Sequence, residues 1–106
     1  MNLVNDENFA RDWAQSRVTH LGYGPKRIES ELRQKGIAND LIAKILEETF
    51  PGQEERERAR ILLEKKFKNQ DLRDLRVLRR ATNLLYRHGY SEATINELCT
   101  GSVDPD

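Results

Sequence analysis

Apolar residues in this chain recur at steps of three and four, the period of one helix face, and glycine or proline breaks each run. Phe9, Trp13, Ala14, Val18 and Leu21 form the first run, which Asn5 or Asp6 can cap and Gly22-Tyr23-Gly24 ends. Pro25 then stands where a first helical residue loses nothing by lacking an N–H, and Ile28 and Leu32 follow as a stripe that stops at Gly36. Lys35, just before that glycine, suits the negative end of the helix dipole. Asn39 opens a third run, Leu41, Ile42, Ile45 and Leu46, closed by Pro51-Gly52. The pattern predicts one three-helix unit over residues 1–52.

The same plan recurs over residues 53–101. A helix from Glu54 to Phe67 is expected, then one from Leu72 to His88, a turn at Gly89-Tyr90, and a Ser91 cap opening a helix with Ile95 and Leu98. Gly36 and Gly89 lie 53 positions apart, and that offset also lays Leu32 on Leu85, Ile42 on Ile95 and Ile45 on Leu98. For the first helix of each unit the offset is 49, pairing Ala10 with Ala59, Trp13 with Leu62, Ala14 with Leu63, Arg17 with Lys66 and Val18 with Phe67. An internal period near 50 implies stacked repeats, so the expected fold is all-α, about six helices in tandem three-helix repeats, with an elongated, right-angle or solenoid-like outline and a concave or grooved face. The first core should hold Phe9, Trp13, Ile28, Leu32, Ile42 and Ile45, and the second Leu62, Leu63, Phe67, Leu78, Leu85, Ile95 and Leu98. Residues 102–106 read as a frayed tail.

Composition narrows the function classes. The chain has 106 residues, of which 37% are hydrophobic and 34% charged, a balance suited to thin helical assemblies with many wet faces. No apolar run approaches the roughly 20 residues that cross a bilayer, and the N-terminus lacks a signal-peptide pattern, so a cytoplasmic location without membrane attachment is expected. Cys99, the single cysteine, reads as a small buried apolar residue. The 18 basic and 18 acidic residues cancel, which argues against nucleic-acid binding through total charge. Their distribution is uneven: Lys65, Lys66, Lys68, Arg73, Arg76, Arg79, Arg80 and Arg87 face only Asp71 and Asp74 between positions 65 and 87.

On a helix from Leu72 to His88, Leu75, Val77, Leu78, Ala81, Leu84 and Leu85 fall on one side, with Arg73, Arg76, Arg79, Arg80, Asn83 and Arg87 opposite. Most charge runs are solvated faces. Five arginines, whose forked guanidinium binds phosphate or carboxylate bidentately, nonetheless make this run a candidate surface for an anionic partner. A second candidate is the helix opening at Gly24-Pro25, where Lys26, Ser30 and Arg33 share a side and Arg27 adds charge, although Glu29 and Glu31 dilute the field and scaffold is the plainer reading.

Four pieces in order carry a resemblance: Phe9-Ala10-x-x-Trp13, Gly24-Pro25-x-x-Ile28-x-x-Glu31-Leu32-x-x-Lys35-Gly36-Ile37, Ala59-x-x-Leu62-Leu63-x-x-Lys66-Phe67, and Arg87-x-Gly89-Tyr90-Ser91-x-x-x-Ile95. Each piece alone is weak, but in this order and at these gaps the chain resembles RecX-type regulators of the RecA recombinase over nearly its whole length. That resemblance implies tandem three-helix repeats and binding to RecA filaments, with restraint of recombinase, ATPase and coprotease activity. It also implies that the second and third of three repeats are present, since Val4-Asn5-Asp6 looks like the exit of a preceding one.

Catalysis is not expected. His20 and His88 sit at helix ends beside basic neighbours with no acidic orienter or nucleophile at a recognisable spacing, and read as surface histidines. Glu54, Glu55 and Glu57 open a helix, where they favour the positive dipole end. No metal or cofactor is expected. The expected partner is the RecA filament, met by a monomer, with single- or double-stranded DNA as a further candidate. Two rival readings use the same scaffold. One is a DNA-binding module in which helix, Gly36 turn and helix form a helix-turn-helix, although the apolar helix after Gly36 is short of base-reading residues. The other is a structural adaptor for an unrelated protein.

Overall fold

The computed structural model describes residues 6–99. The expected Asn5 cap and the tail at 102–106 lie outside them. Every element among the described residues is helical: α1 (Asp6–Ser16), continued by a π-helical turn (Arg17–Leu21), α2 (Pro25–Gln34), α3 (Asn39–Thr49), α4 (Glu54–Lys66), α5 (Leu75–His88) and α6 (Glu92–Cys99). Pro25 starts α2 without wasting a donor, and Gly36 and Gly89 end α2 and α5 at φ of 86° and 92°, a region that a Cβ disfavours. α3 packs across α1 and α2, and α6 packs across α4 and α5.

Two cores result. In the first, Ala10, Ala14 and Val18 of α1 and its π turn meet Ile28, Leu32, Ile37, Ile42 and Ile45. Each isoleucine or leucine so covered contributes roughly 1.5–3 kcal/mol relative to exposure. Phe9 was expected inside and is instead 42% exposed. Ala10 and Ala14 hold the inward stripe, and Phe9, one residue and 100° away, rides on the flank with its ring 5.8 Å from Trp13. Trp13 itself is half-buried, packed between the Arg17 guanidinium and the Lys35 ammonium at 4.1 and 4.2 Å, while its Nε1 donates to Glu31 at 2.8 Å. Leu21, expected on the apolar stripe, is 40% exposed, because the wide π turn breaks the 3.6-residue period that would have carried it inward.

The second core joins Ala59, Leu62 and Leu63 of α4 to Ala81 and Leu85 of α5, Tyr90, and Ile95 and Cys99 of α6. Cys99 is fully covered, as expected. Phe67, Leu78 and Leu98 border this core half-buried rather than filling it. α5 begins at Leu75, not Leu72, because the Asp74 carboxylate accepts the Arg76 N–H and caps the helix there. That start leaves Leu75 at the tip, 70% exposed, although its angular position placed it on the apolar side. Leu72 remains outside the helix and packs on the core from the loop.

The two units meet end to end. α5 finishes where α2 starts, and the Gly24 and Lys26 N–H groups donate to the His88 and Gly89 carbonyls at 2.7 and 2.8 Å. Pro25, between those donors, has none to satisfy. The carbonyl end of one helix thus accepts from the amide end of the other, which brings opposite dipole ends together. The Arg27 guanidinium donates to the Arg87 carbonyl at 3.1 Å and stacks 4.3 Å over the Tyr23 ring, whose other near neighbour is His88, edge-on at 5.7 Å. The buried Tyr90 hydroxyl donates to the Gly22 carbonyl at 2.8 Å. The backbones come so close that a Cβ on Gly24 would stand 2.8 Å from the Gly89 carbonyl group. This narrow joint gives an elongated molecule, 51 × 26 × 20 Å, with a radius of gyration of 15.3 Å against about 13 Å for a compact domain of this length.

Candidate functional site

All eleven basic residues singled out from the sequence are exposed, but the fold sorts them into different settings. Arg76, Arg79 and Arg80 surround a shallow depression beside Asp74, Val77 and Asn83 at the start of α5. One helical turn further along, Arg80 and Asn83 also border a second depression shared with Lys66, Phe67, Leu84 and Arg87. Lys66 and Arg87 in turn enter the cleft between the two units, which Arg27, Arg58, Lys65, His20 and His88 also line. A continuous band of positive charge therefore runs from the start of α5 to the joint.

Local anions neutralise that band only at its edges. Arg73 pairs with Asp71, and Arg76 lies 3.9 Å from the Asp74 cap while its side chain stays 89% exposed. Arg80 donates to the Gln70 side chain at 2.6 Å and lies over the Phe67 ring. Among the described residues, no acidic partner is found for Arg79, Arg87, Lys65, Lys66 or Lys68. Lys68 stands apart from the cleft, beside an apolar groove formed with Phe67, Leu72 and Leu98.

The α2 candidates are not gathered into this band as a group. Arg33 is held by Glu29 of its own helix at 2.7 Å and by Asn39 at the start of α3 at 3.3 Å. Lys26 contributes its backbone N–H to the joint, and its side chain meets no acidic partner among the described residues. Arg27 reaches the cleft, where it is held by the Arg87 carbonyl, the Tyr23 ring and, at 3.4 Å, Glu31.

Sequence reasoning missed three cleft residues. Arg58 was legible in principle, since Arg58, Ile61, Leu62 and Lys65 follow the spacing of one α4 stripe. His20 is exposed, as expected, and lines the cleft from the π turn that follows α1. His88 was read as a surface histidine and is half-buried. Its pKa is pushed below the ordinary 6.5, chiefly by burial and further by the charges of Lys66, Arg27 and Arg87, against a raising hydrogen bond from Nδ1 to the Leu84 carbonyl. Three cations close enough to oppose protonation of one ring describe a concentrated positive potential.

Residues 5–46 match the second three-helix domain of RecX. The chain is 38% identical over 94 residues to the regulatory protein RecX of Mycobacterium avium (strain 104), covering 87% of this chain and 54% of that protein. It is 36% identical over 105 residues to the RecX of Mycobacterium leprae (strain Br4923), covering 97% of this chain and 61% of the relative.

Nearly the whole chain is similar to RecX regulatory proteins.

The segment matched to the second RecX domain comprises α1, α2 and most of α3, so the arginine band lies beyond it, in the following unit. The similarity to whole RecX proteins extends across that unit as well. The chain spans little more than half the length of these relatives. Among the described residues no helix is long and apolar enough to cross a membrane.

Proposed function

We propose that this chain is a non-enzymatic regulator that docks on the RecA–DNA filament and restrains recombinase, ATPase and coprotease activity, with α4–α6 acting as the third RecX repeat. The observation that carries the reading is the unbroken band of cations from Arg76 to the inter-unit cleft, most of it without an acidic partner among the described residues. Such a band complements an anionic surface, and the similarity to RecX points to the filament as its owner. The helix-turn-helix rival gains nothing from α3, whose exposed side carries Asp40, Glu47 and Glu48 against Lys44 alone and so is net acidic toward phosphate.

The test is charge reversal of Arg76, Arg80 and Arg87 together, with binding measured on RecA-coated and bare single strands across salt concentrations. Affinity should drop while folding changes by less than about 0.5 kcal/mol per exposed site. If phosphate is contacted, the slope of log affinity against log salt should flatten by about one unit per lost contact. If RecA carboxylates are contacted, the parent should bind bare DNA weakly throughout. Unchanged affinity on both targets refutes the role of this band and moves attention to Lys26, Arg27 and Arg33.

A further inference from the structure

The cation band runs into a cleft of about 680 Å³ beside the joint. Among the described residues no carboxylate lines it, in a chain where acidic and basic residues are equal in number. Many cations are neutralised locally: Arg11 with Glu7 and Glu48, Arg33 with Glu29, Arg60 with Glu57 and Glu64, and, of those in the cleft wall, Arg27 with Glu31 and Arg58 with Glu54. Lys65, Lys66 and Arg87 in the cleft wall have no such partner among the described residues. Like charges held together raise one another's energy, and an anionic occupant removes that cost.

Two further features say what kind of anion fits. The cleft lip is aliphatic: Leu21 and Ile61 are 40% and 42% exposed there, the first because the π turn rotates it outward. The tyrosine rings of the cleft, by contrast, are closed to stacking. Tyr90 is buried, and Tyr23 is covered by the Arg27 guanidinium on its face and by His88 at its side. Single-stranded nucleic acid draws much of its affinity from bases laid on open aromatic faces, and among the described residues this cleft offers only the exposed His20 ring for that. Aliphatic side chains beside unpaired cations instead match a protein segment that alternates carboxylates with aliphatic residues.

We propose that the inter-unit cleft binds an acidic segment of a partner protein, its carboxylates against Lys65, Lys66 and Arg87 and a neighbouring aliphatic side chain against Leu21 and Ile61. The inference deepens the filament-docking reading by locating a protein contact within it, but its test needs no filament.

The probes are a capped 12-residue peptide alternating Glu and Leu, a matching peptide alternating Glu and Ser, and a 12-nucleotide oligothymidine. Each is titrated into the isotope-labelled full chain while NMR follows the Leu21 and Ile61 methyls and the titration midpoint of the His88 ring. The Glu-Leu peptide should shift both methyls and raise the His88 midpoint, since a carboxylate beside the ring stabilises its protonated form. The Glu-Ser peptide should bind several-fold more weakly. The double variant Lys65→Ala/Lys66→Ala, whose side chains are exposed, should keep the parent's melting curve and lose about tenfold in peptide affinity. A Glu-Leu peptide that leaves the methyls and His88 unmoved overturns the proposal, as does undiminished binding by the double variant. Oligothymidine binding the cleft as tightly as the peptide overturns it too, in favour of a nucleic-acid site. Loss of filament binding by the Arg76, Arg80 and Arg87 reversals bears on the docking reading, whereas these peptide titrations bear on the cleft.

Discussion

Replacing Gly89 by alanine isolates what the end-to-end joint contributes, because Gly36 provides an internal control. Both glycines end a helix at nearly the same left-handed φ, 92° and 86°. An L-residue there costs about 1–2 kcal/mol at either position. Their surroundings differ: a Cβ on Gly36 meets nothing within 4 Å, whereas one on Gly89 would stand 2.3 Å from the Arg27 backbone nitrogen and Cβ. That overlap is with main chain and cannot be relieved by turning a side chain, so the start of α2 must withdraw. Withdrawal breaks the Gly24 and Lys26 hydrogen bonds to the His88 and Gly89 carbonyls, at about 1 kcal/mol each. Gly36→Ala should therefore destabilise by about 1–2 kcal/mol and Gly89→Ala by about 3–4 kcal/mol, read from urea midpoints. Solution scattering adds a second measure, since a parted joint should raise the radius of gyration above 15.3 Å in Gly89→Ala alone. A Gly89→Ala protein that unfolds and scatters like Gly36→Ala would refute the joint as the link that fixes the two units.

Further outcomes follow from the same contacts. Trp13→Ala should cost about 2 kcal/mol, less than the 3–5 of a fully buried ring, and Phe9→Ala under about 1 kcal/mol, both checked by denaturant titration. Tyr90→Phe, which removes the hydroxyl bonded to the Gly22 carbonyl, should cost about 1 kcal/mol and leave secondary structure unchanged by circular dichroism. Because His88 titrates lower in the fold than in the unfolded chain, its contribution to stability is present above pH 6.5 and lost as pH falls through that value toward its folded midpoint. His88→Gln should therefore lose less stability than the parent between pH 7.5 and 5.5. Glu7 and Glu48, held below 4.5 by Lys44 and Arg11 respectively, should add their loss only at lower pH.

The helices were legible because their signals are local: a stripe of period 3.6, a proline that can only begin a helix, a glycine that can only end one. The repeat was legible because Gly36 and Gly89 perform the same stop at a fixed offset. Angular reasoning also put the α5 arginines on an open face. It failed where size competes with position: the aromatic Phe9 reads as the core residue, yet the neighbouring Ala10 holds the inward stripe and lets the helices approach closely. It failed at Leu75 because a side chain's angle on a helix does not say whether that turn lies over the core or beyond its edge. The cleft was the least legible part, since Arg27, Arg58, Lys66 and His88 come from three helices and meet only through the Gly24–Gly89 contact. Nothing local encodes a pairing across more than 60 positions.

A net charge of zero and a band rich in unpaired cations are compatible because electrostatics at contact depends on local charge. Between exposed groups, interactions fade over a Debye length of about 8 Å at physiological salt, far less than this molecule's 51 Å length. A partner at the α5 face therefore meets Arg76, Arg79, Arg80, Arg87 and Lys66, while Glu47 and Glu48 on α3 lie on the other unit. Distant acids do not cancel the band, but they weaken the long-range pull toward any extended polyanion, because there every charge on the chain counts. Such a molecule gains little from binding a polyanion in an arbitrary orientation and more from a surface that meets the band along its length. If that surface is the filament, affinity should depend on the band's continuity as well as its charge. Moving one arginine from the band to the exposed side of α3, as in Arg80→Ala combined with Ala43→Arg, keeps the net charge at zero and breaks the band at the residue shared by its two shallow depressions. That variant should bind RecA-coated strands more weakly than the parent. Equal binding would show that total charge governs the encounter.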